Sequence, residues 1–124
     1  MKYILPLVLM NLLLAACTKI SSDDTVRRQI VGTWTIDNGS DVWTLSPDGG
    51  FNEKWARAAK ALAFQGTWQV TNGILVATIT NKSSVGFTNV AAVGSAISSH
   101  IVRLDSDHLT LVYDSQTNHW LRKP

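Results

Sequence analysis

Turn signals recur at short, regular intervals along most of this chain, from residue 30 to its end. Residues 46–50 read Ser-Pro-Asp-Gly-Gly, and the pair Asn72-Gly73 supplies the positive φ values that a tight hairpin requires. The segments between the turns are short, and they alternate apolar with polar residues or are rich in β-branched residues. This pattern predicts an all-β domain, either an antiparallel barrel or a sandwich.

Eight segments have the composition of strands, which favours a small antiparallel up-and-down β-barrel of about eight short strands. Their limits are 31–36, 42–45, 51–55, 66–70, 74–80, 100–104, 109–113 and 119–123. Two other segments resist this assignment. Residues 56–63 are rich in helix formers, which predicts a helical turn or a mobile loop. Residues 85–99 are small, apolar and glycine-containing, so we expect a bulged strand or a flap, with a strand favoured within 85–93.

Residues 1–16 have the features of a cleaved signal helix rather than of a folded element. Lys2 gives a positive start, and residues 4–14 are almost all apolar but too few for a transmembrane helix, which needs roughly 20 residues. A buried core helix is the alternative, but Pro6 and the lack of a polar face count against it. The segment therefore predicts export from the cytoplasm.

Residues 14–17 read Leu-Ala-Ala-Cys, which resembles the lipobox of bacterial lipoproteins. The resemblance implies cleavage between Ala16 and Cys17, and a diacylglyceryl group on Cys17, often with a further acyl chain. Two or more chains would hold the protein stably at a membrane. Thr18 in place of an aspartate favours the outer membrane if the cell is Gram-negative, so the expected location is the cell envelope.

The rest of the chain is expected to form one tethered domain. Cys17 is the single cysteine, so the domain has no internal disulfide, and lipidation would consume its thiol. Residues 17–29 are predicted to be the lipidated cysteine and a tether, in which a polar residue among 22–24 could cap a helical turn, and residues 30–124 the barrel. The 11 basic and 9 acidic side chains leave the chain nearly neutral, which argues against a nucleic-acid partner.

Two sequence elements at the ends of the predicted barrel resemble the lipocalin pattern: Gly-Thr-Trp at residues 32–34 and Arg122 in the last strand. Asp-Gly-Gly-Phe at residues 48–51, a second Gly-Thr-Trp at residues 66–68 and a closing hairpin extend the similarity to small bacterial lipocalin-like domains. The resemblance covers nearly all of residues 30–123.

The resemblance implies a role for three residues in closing the barrel. Trp34 would pack at the closed end with Arg122 lying across it, and Gly32 would allow the close approach of the neighbouring chain. The chain is shorter than full-length lipocalins and lacks their long C-terminal helix, which argues against a deep ligand cavity.

Five tryptophans in so short a domain can build either a closed core or an apolar pocket. Core packing is the simpler interpretation for any one of them. If the strand faces converge on a ligand, the candidates for lining its site are aromatic: Trp43, Phe51, Trp55, Trp68 and Phe87.

No catalytic residue, metal site or cofactor is predicted. The three histidines lack the spacing of a metal site, and there is no Gly-x-Ser-x-Gly motif. Glu53, the single glutamate, shares the strand phase of Phe51 and so could point inward, where it would pair with Arg103 or Arg122 or face a ligand. We expect that the protein is not an enzyme.

The leading hypothesis is a lipid-anchored envelope protein whose lipocalin-like barrel binds a small apolar or amphipathic molecule. The alternative is a structural or interaction module, in which the tryptophans fill the barrel and residues 85–99 or an outer face contact another envelope protein. An accessible cavity would favour the first hypothesis. A packed interior beneath an apolar outer patch would favour the second.

Overall fold

A computed structural model describes residues 22–36 and 39–124, which form one helix and eight strands. The elements are helix α1 (Asp23–Ile30) and strands β1 (Gly32–Ile36), β2 (Asp41–Leu45), β3 (Gly50–Arg57), β4 (Lys60–Thr71), β5 (Ile74–Val85), β6 (Ala96–Leu104), β7 (His108–Tyr113) and β8 (Gln116–Arg122). The predicted signal at residues 1–16, the cleavage site after Ala16 and the lipidation site at Cys17 lie outside the described residues.

The strands form a closed antiparallel barrel in sequence order, with β8 pairing back to β1. The prediction of a small all-β barrel is confirmed. The Asn72-Gly73 pair makes the β4–β5 turn with φ values of 53° and 72°, as the tight-hairpin signal requires. β1 and β8 share only two residue pairs, against five between β1 and β2, so side chains must help to hold the closing seam.

Residues 56–63 form the tip of the β3–β4 hairpin, and the prediction of a helical turn or a mobile loop there is wrong. Only Ala58 and Ala59 lie in the turn, with Ala58 at a φ of 55°. The alanines on either side pair across the two strands. Helix propensity is a weak preference, and the pairing of a long hairpin overrides it here.

Residues 86–95 form an irregular loop between β5 and β6, so the strand predicted within 85–93 is wrong beyond its first residue. Gly86 and Gly94 adopt positive φ values of 81° and 92° at the two ends of the loop, a conformation that interrupts a strand. The loop folds back on β5, where the Gly94 amide donates to the Ile79 carbonyl oxygen at 2.7 Å. The segment therefore has the form of a flap.

Helix α1 packs against the barrel core, although most of its residues lie in the segment 17–29 that was predicted to be a tether. Ser22 caps the helix by accepting a hydrogen bond from the Thr25 amide. Val26 and Ile30, one helical turn apart, are 5% and 0% exposed and share the core of the barrel strands. A spacing of four residues puts both side chains on one face of the helix. Burial of this apolar face favours packing of the helix on the barrel.

The interior of the barrel is largely filled. Fifteen apolar side chains of the described chain are buried in one cluster, which includes four of the five tryptophans: Trp34, Trp43, Trp68 and Trp120. Core packing therefore accounts for most of the aromatic content. A ligand could enter only where this packing leaves space.

Candidate functional site

At the end of the barrel next to helix α1, Arg122 lies over the ring of Trp34, with its Cζ 4.2 Å from the ring centroid. Its guanidinium donates to the carbonyl oxygens of Gln29 at 2.6 Å, Val31 at 2.8 Å and Ser106 at 2.6 Å. These bonds join β8 to the helix, to the start of β1 and to the β6–β7 turn. One side chain thus ties together the elements that meet at this end.

Gly32 makes this arrangement sterically possible. It has a φ of 141°, and a Cβ at this position would collide with the Arg122 guanidinium. Trp34 is 0% exposed and donates its indole N–H to the Ile30 carbonyl oxygen at 2.9 Å. The three residues named as barrel-closing therefore lie in one cluster at this end, which we call the closed end.

A cavity of about 260 Å³ lies toward the opposite, open end of the barrel, where β1 ends and β2 begins. Its lining combines aromatic, aliphatic and polar side chains: Ile36, Asp41, Trp43, Glu53, Ile97, Ser99, Leu111, Tyr113, Asn118 and Trp120. These residues come from six of the eight strands, so the cavity exists only when the barrel is closed.

Two carboxyl groups, those of Asp41 and Glu53, lie together on the cavity wall. Trp43 pairs directly with Glu53 across β2 and β3, which makes Asp41 a diagonal neighbour on the same inner face. The pKa of Glu53 is raised to about 8, first by burial, then by the negative charge of Asp41 and by the hydrogen bond between the two side chains. At neutral pH the Glu53 carboxyl is therefore mostly protonated, and its O–H donates to Asp41.

Two buried indole N–H groups accompany the carboxyl pair. Trp43 and Trp120 lie 5.1 Å apart between ring centroids, and neither N–H finds a hydrogen-bond acceptor within the described part of the chain. The Trp43 N–H lowers the pKa of Glu53 without forming a hydrogen bond to it. A buried donor without an acceptor costs about 1–3 kcal/mol. An acceptor inside the cavity would recover that cost.

Of the five aromatic residues predicted to line a ligand site, Trp43 lies on the cavity wall. Phe51 packs edge-on against Trp43 at 5.6 Å between centroids, on the side toward the closed end, and does not line the cavity. Trp68 lies near the closed end, where its indole donates to the Ser46 carbonyl oxygen at 2.9 Å. Phe51 and Trp68 are therefore core residues.

The other two predicted lining residues, Trp55 and Phe87, contact each other instead, with ring centroids 5.2 Å apart. They lie where the β3–β4 hairpin extends past the cavity and meets the 86–95 loop. Neither residue lines the cavity. Strand alternation predicts that Trp55 faces the interior. It does not predict the residue of β3 opposite which the neighbouring strand β2 begins.

Most of the residues that line the cavity were not predicted from the sequence. Alternation could have placed Asp41, two residues before Trp43, on the same inner face. It could not have shown that Trp120 lies beside Trp43, because that contact depends on how β8 meets β1 and β2 across the seam. The register between strands that are distant in sequence cannot be read from one amino-acid sequence.

Of the two alternatives for Glu53, the pairing with Arg103 or Arg122 does not occur, and the carboxyl group faces the cavity instead. Arg122 belongs to the closed end, and Arg103 pairs with Asp105 at 3.0 Å in the β6–β7 turn. Among the residues described as lining the cavity there is no lysine or arginine. Within residues 22–36 and 39–124, no three His, Cys, Asp or Glu side chains are grouped as a metal site requires.

Comparison of the chain with known protein families and with curated proteins finds no match. In the part of the chain that the structure describes, no helix has the length and apolar character needed to cross a membrane. Functional interpretation therefore depends on the chemistry of the cavity.

Proposed function

We propose that this chain is a cell-envelope lipoprotein whose barrel binds a small amphipathic molecule in the cavity beside Glu53. The observation that carries the proposal is one interior cavity that combines aromatic walls with buried indole N–H groups lacking an acceptor among the described residues. Small-molecule sites typically have apolar walls and a few polar groups that orient the ligand.

The size of the cavity limits the ligand. Its volume of about 260 Å³ lies just below the range of about 300–1,000 Å³ typical of sites for drug-sized molecules. Ile36, Ile97 and Leu111 supply apolar surface around it. The cavity suits a short molecule, or the head of a longer one whose tail leaves through the open end.

The polar wall favours a neutral head group that accepts hydrogen bonds. Trp43 and Trp120 offer indole N–H donors, whereas the Glu53 proton is held in the hydrogen bond with Asp41. A carboxylate anion is disfavoured, because the cavity lining described here contains no lysine or arginine and the charge of Asp41 would repel it. A hydroxyl or amide head therefore fits better than an ionised fatty acid.

The envelope location rests on the Leu-Ala-Ala-Cys pattern at residues 14–17. Helix α1 is capped at Ser22, five residues after Cys17. A fully extended chain spans at most about 3.5 Å per residue, so five residues reach at most about 17 Å. A lipid on Cys17 would hold the barrel close to the membrane surface.

Ligand binding can be tested on residues 18–124 without the lipid, because every buried residue of the described core lies between Val26 and Trp120. We expect native mass spectrometry near neutral pH to show retained decanol and much weaker retention of decanoate, which has the same chain length. Equal retention of both would contradict the proposed head-group preference. Retention of neither would contradict ligand binding in this cavity.

Two neighbouring serines of β6 give a matched pair of variants. Ser99 is 3% exposed and lines the cavity, whereas Ser98 is exposed on the opposite face. We expect Ser99→Leu to fill the cavity and abolish decanol retention, and Ser98→Leu to leave retention unchanged. Loss of retention in both variants, or in neither, would place the bound molecule outside the cavity. That result would favour the alternative of a filled barrel that acts as an interaction module.

The lipid anchor has a separate test in the full chain. We expect Cys17→Ala to block lipidation and release the protein from the membrane fraction of the cell, as judged by metabolic labelling with a fatty acid and by fractionation. Labelled Cys17→Ala protein would contradict the assignment of the lipidation site.

A further inference from the structure

The three-stranded part of the sheet formed by β3, β4 and β5 extends past its neighbours. The last residue of β3 that pairs with β2 is Trp55, and the last residue of β5 that pairs with β6 is Thr78. Beyond these residues β4 and β5 remain paired as far as Ala61 and Val85. The seven residues from Ile79 to Val85 span about 20 Å of strand. We call residues 54–62, 81–85 and the 86–95 loop the basic extension.

The basic extension has a one-sided charge. From Lys54 to Leu104 the sequence contains no aspartate or glutamate, although the whole chain has nine of them. Lys54, Lys60 and Lys82 are exposed, and none has a carboxylate partner among the described ion pairs. The near-neutral charge of the whole chain therefore hides a strongly asymmetric distribution.

Apolar groups lie on both faces of the basic extension, with Val85 on the outer face of Lys54 and Trp55 on the inner face of Glu53. Val85 and Val93 are 63% and 55% exposed, and the turn alanines of the hairpin are exposed as well. The Trp55–Phe87 pair lies beside them, with the Lys60 ammonium 5.6 Å from the Phe87 ring centroid. Lysines around exposed aliphatic and half-buried aromatic side chains are the chemistry of peptide segments that lie in the headgroup region of a bilayer.

We infer that the basic extension binds the surface of a bilayer containing anionic phospholipids. The exposed lysines can meet lipid phosphates, and the exposed Val85 and Val93 can enter the boundary between headgroups and acyl chains. Charge complementarity favours this occupant over an uncharged surface. The exposed valines favour a bilayer over nucleic acid, because a nucleic acid would leave them in water or in contact with phosphates.

The contact is independent of the proposed lipid anchor and of the proposed ligand. β4 runs from the tip of the extension to the β4–β5 turn, where Asp23 of helix α1 accepts hydrogen bonds from Asn72 and Gly73. The helix that follows the tether and the basic extension therefore lie at the two ends of one strand. A body lying along β4 brings both to the same membrane surface.

The test is sedimentation of residues 18–124 with vesicles of phosphatidylcholine, with or without phosphatidylglycerol. We expect binding to the anionic vesicles alone, weakened by added salt. At about 1 kcal/mol for each lysine near an anionic surface, the triple variant K54Q/K60Q/K82Q should bind about 100-fold more weakly. V85S/V93S should also bind more weakly. The control V102S/L121S, which changes two similarly exposed residues on the barrel wall at 59% and 55%, should bind like the unsubstituted protein.

Three outcomes would overturn the inference. The first is equal binding to both kinds of vesicle, and the second is anionic binding that survives K54Q/K60Q/K82Q in protein whose circular dichroism is unchanged. The third is a dimer in sedimentation velocity that is lost in V85S/V93S, because it would assign this surface to a second copy of the chain. None of these measurements depends on decanol binding. The inferred membrane contact and the proposed ligand binding can therefore each be contradicted without the other.

Discussion

Arg122 shows how a single side chain can stabilise a seam that has little backbone pairing. β1 and β8 share two residue pairs, and the guanidinium adds hydrogen bonds to Gln29, Val31 and Ser106 and a contact with the Trp34 ring. The planar group can reach three acceptors while its face covers the indole. A lysine ammonium at the same place cannot satisfy this geometry.

We therefore predict that Arg122→Lys lowers the free energy of unfolding by about 2–4 kcal/mol, because charged hydrogen bonds contribute about 1.5–3 kcal/mol each and lysine keeps part of them. Denaturant unfolding measures the loss. Arg103→Lys is the matched control, since Arg103 forms an exposed pair with Asp105 and exposed pairs contribute about 0–1 kcal/mol. Equal losses in the two variants would contradict the role assigned to Arg122.

Glu53 makes the stability of the barrel depend on pH. Burial and the nearby Asp41 charge raise its pKa from 4.5 to about 8 in the folded protein. Between these values the unfolded chain has lost the Glu53 proton while the folded protein still holds it. Stability from this group is therefore complete below about pH 4.5 and is lost as the pH rises through about 8.

We predict that Glu53→Gln, which mimics the protonated carboxyl, flattens this part of the pH dependence. The free energy of unfolding of the unsubstituted protein should fall from mildly acidic to mildly alkaline pH, and the variant should lose less over the same range. Denaturant unfolding across that range measures both slopes. An unchanged slope in the variant would show that Glu53 is not the group that titrates.

At the scale of elements, helix α1 is the part of the fold whose role is easiest to underestimate from sequence. It buries Val26 and Ile30, and its Asp23 accepts hydrogen bonds from the β4–β5 turn. Its Arg27 donates to the Val70 carbonyl oxygen at 2.9 Å. The helix also supplies the Gln29 carbonyl to Arg122. The helix is thus part of the cooperative unit.

We predict that a chain starting at Val31 loses cooperative thermal unfolding, whereas one starting at Ser21 unfolds at the same temperature as one starting at Thr18. Burial of a large aliphatic side chain contributes about 1.5–3 kcal/mol, and the shorter chain loses two of them, Val26 and Ile30. Near-UV circular dichroism follows the transition. Full stability in the chain from Val31 would contradict the stabilising role assigned to the helix.

The elements also show how far sequence alone can predict this molecule. Strands with clear turns, such as β7 and β8, were predicted within a few residues, because alternation and turn residues act locally. The alanine-rich residues 56–63 were not, because pairing between long strands decided their conformation. The Trp43–Trp120 contact depends on how the barrel closes. Local patterns therefore predicted the fold better than the cavity.

For the whole molecule, the two ends of the barrel differ in chemistry. The closed end holds Arg122, Trp34 and the docked helix, and the open end holds the cavity and the basic extension. Helix α1 docks by its first turn against the β4–β5 turn at the closed end. The cavity therefore opens away from the point where a lipid-bearing segment would join the fold.

Binding of an amphipathic molecule in the cavity at the open end can be followed through the tryptophan indole N–H signals in a ¹⁵N–¹H spectrum. Trp43 and Trp120 have buried N–H groups without an acceptor in the described chain, whereas those of Trp34 and Trp68 donate to carbonyl oxygens at 2.9 Å. We predict that decanol shifts the first two signals and leaves the second two in place. Unchanged Trp43 and Trp120 signals, or equal shifts at all four residues, would contradict binding in this cavity.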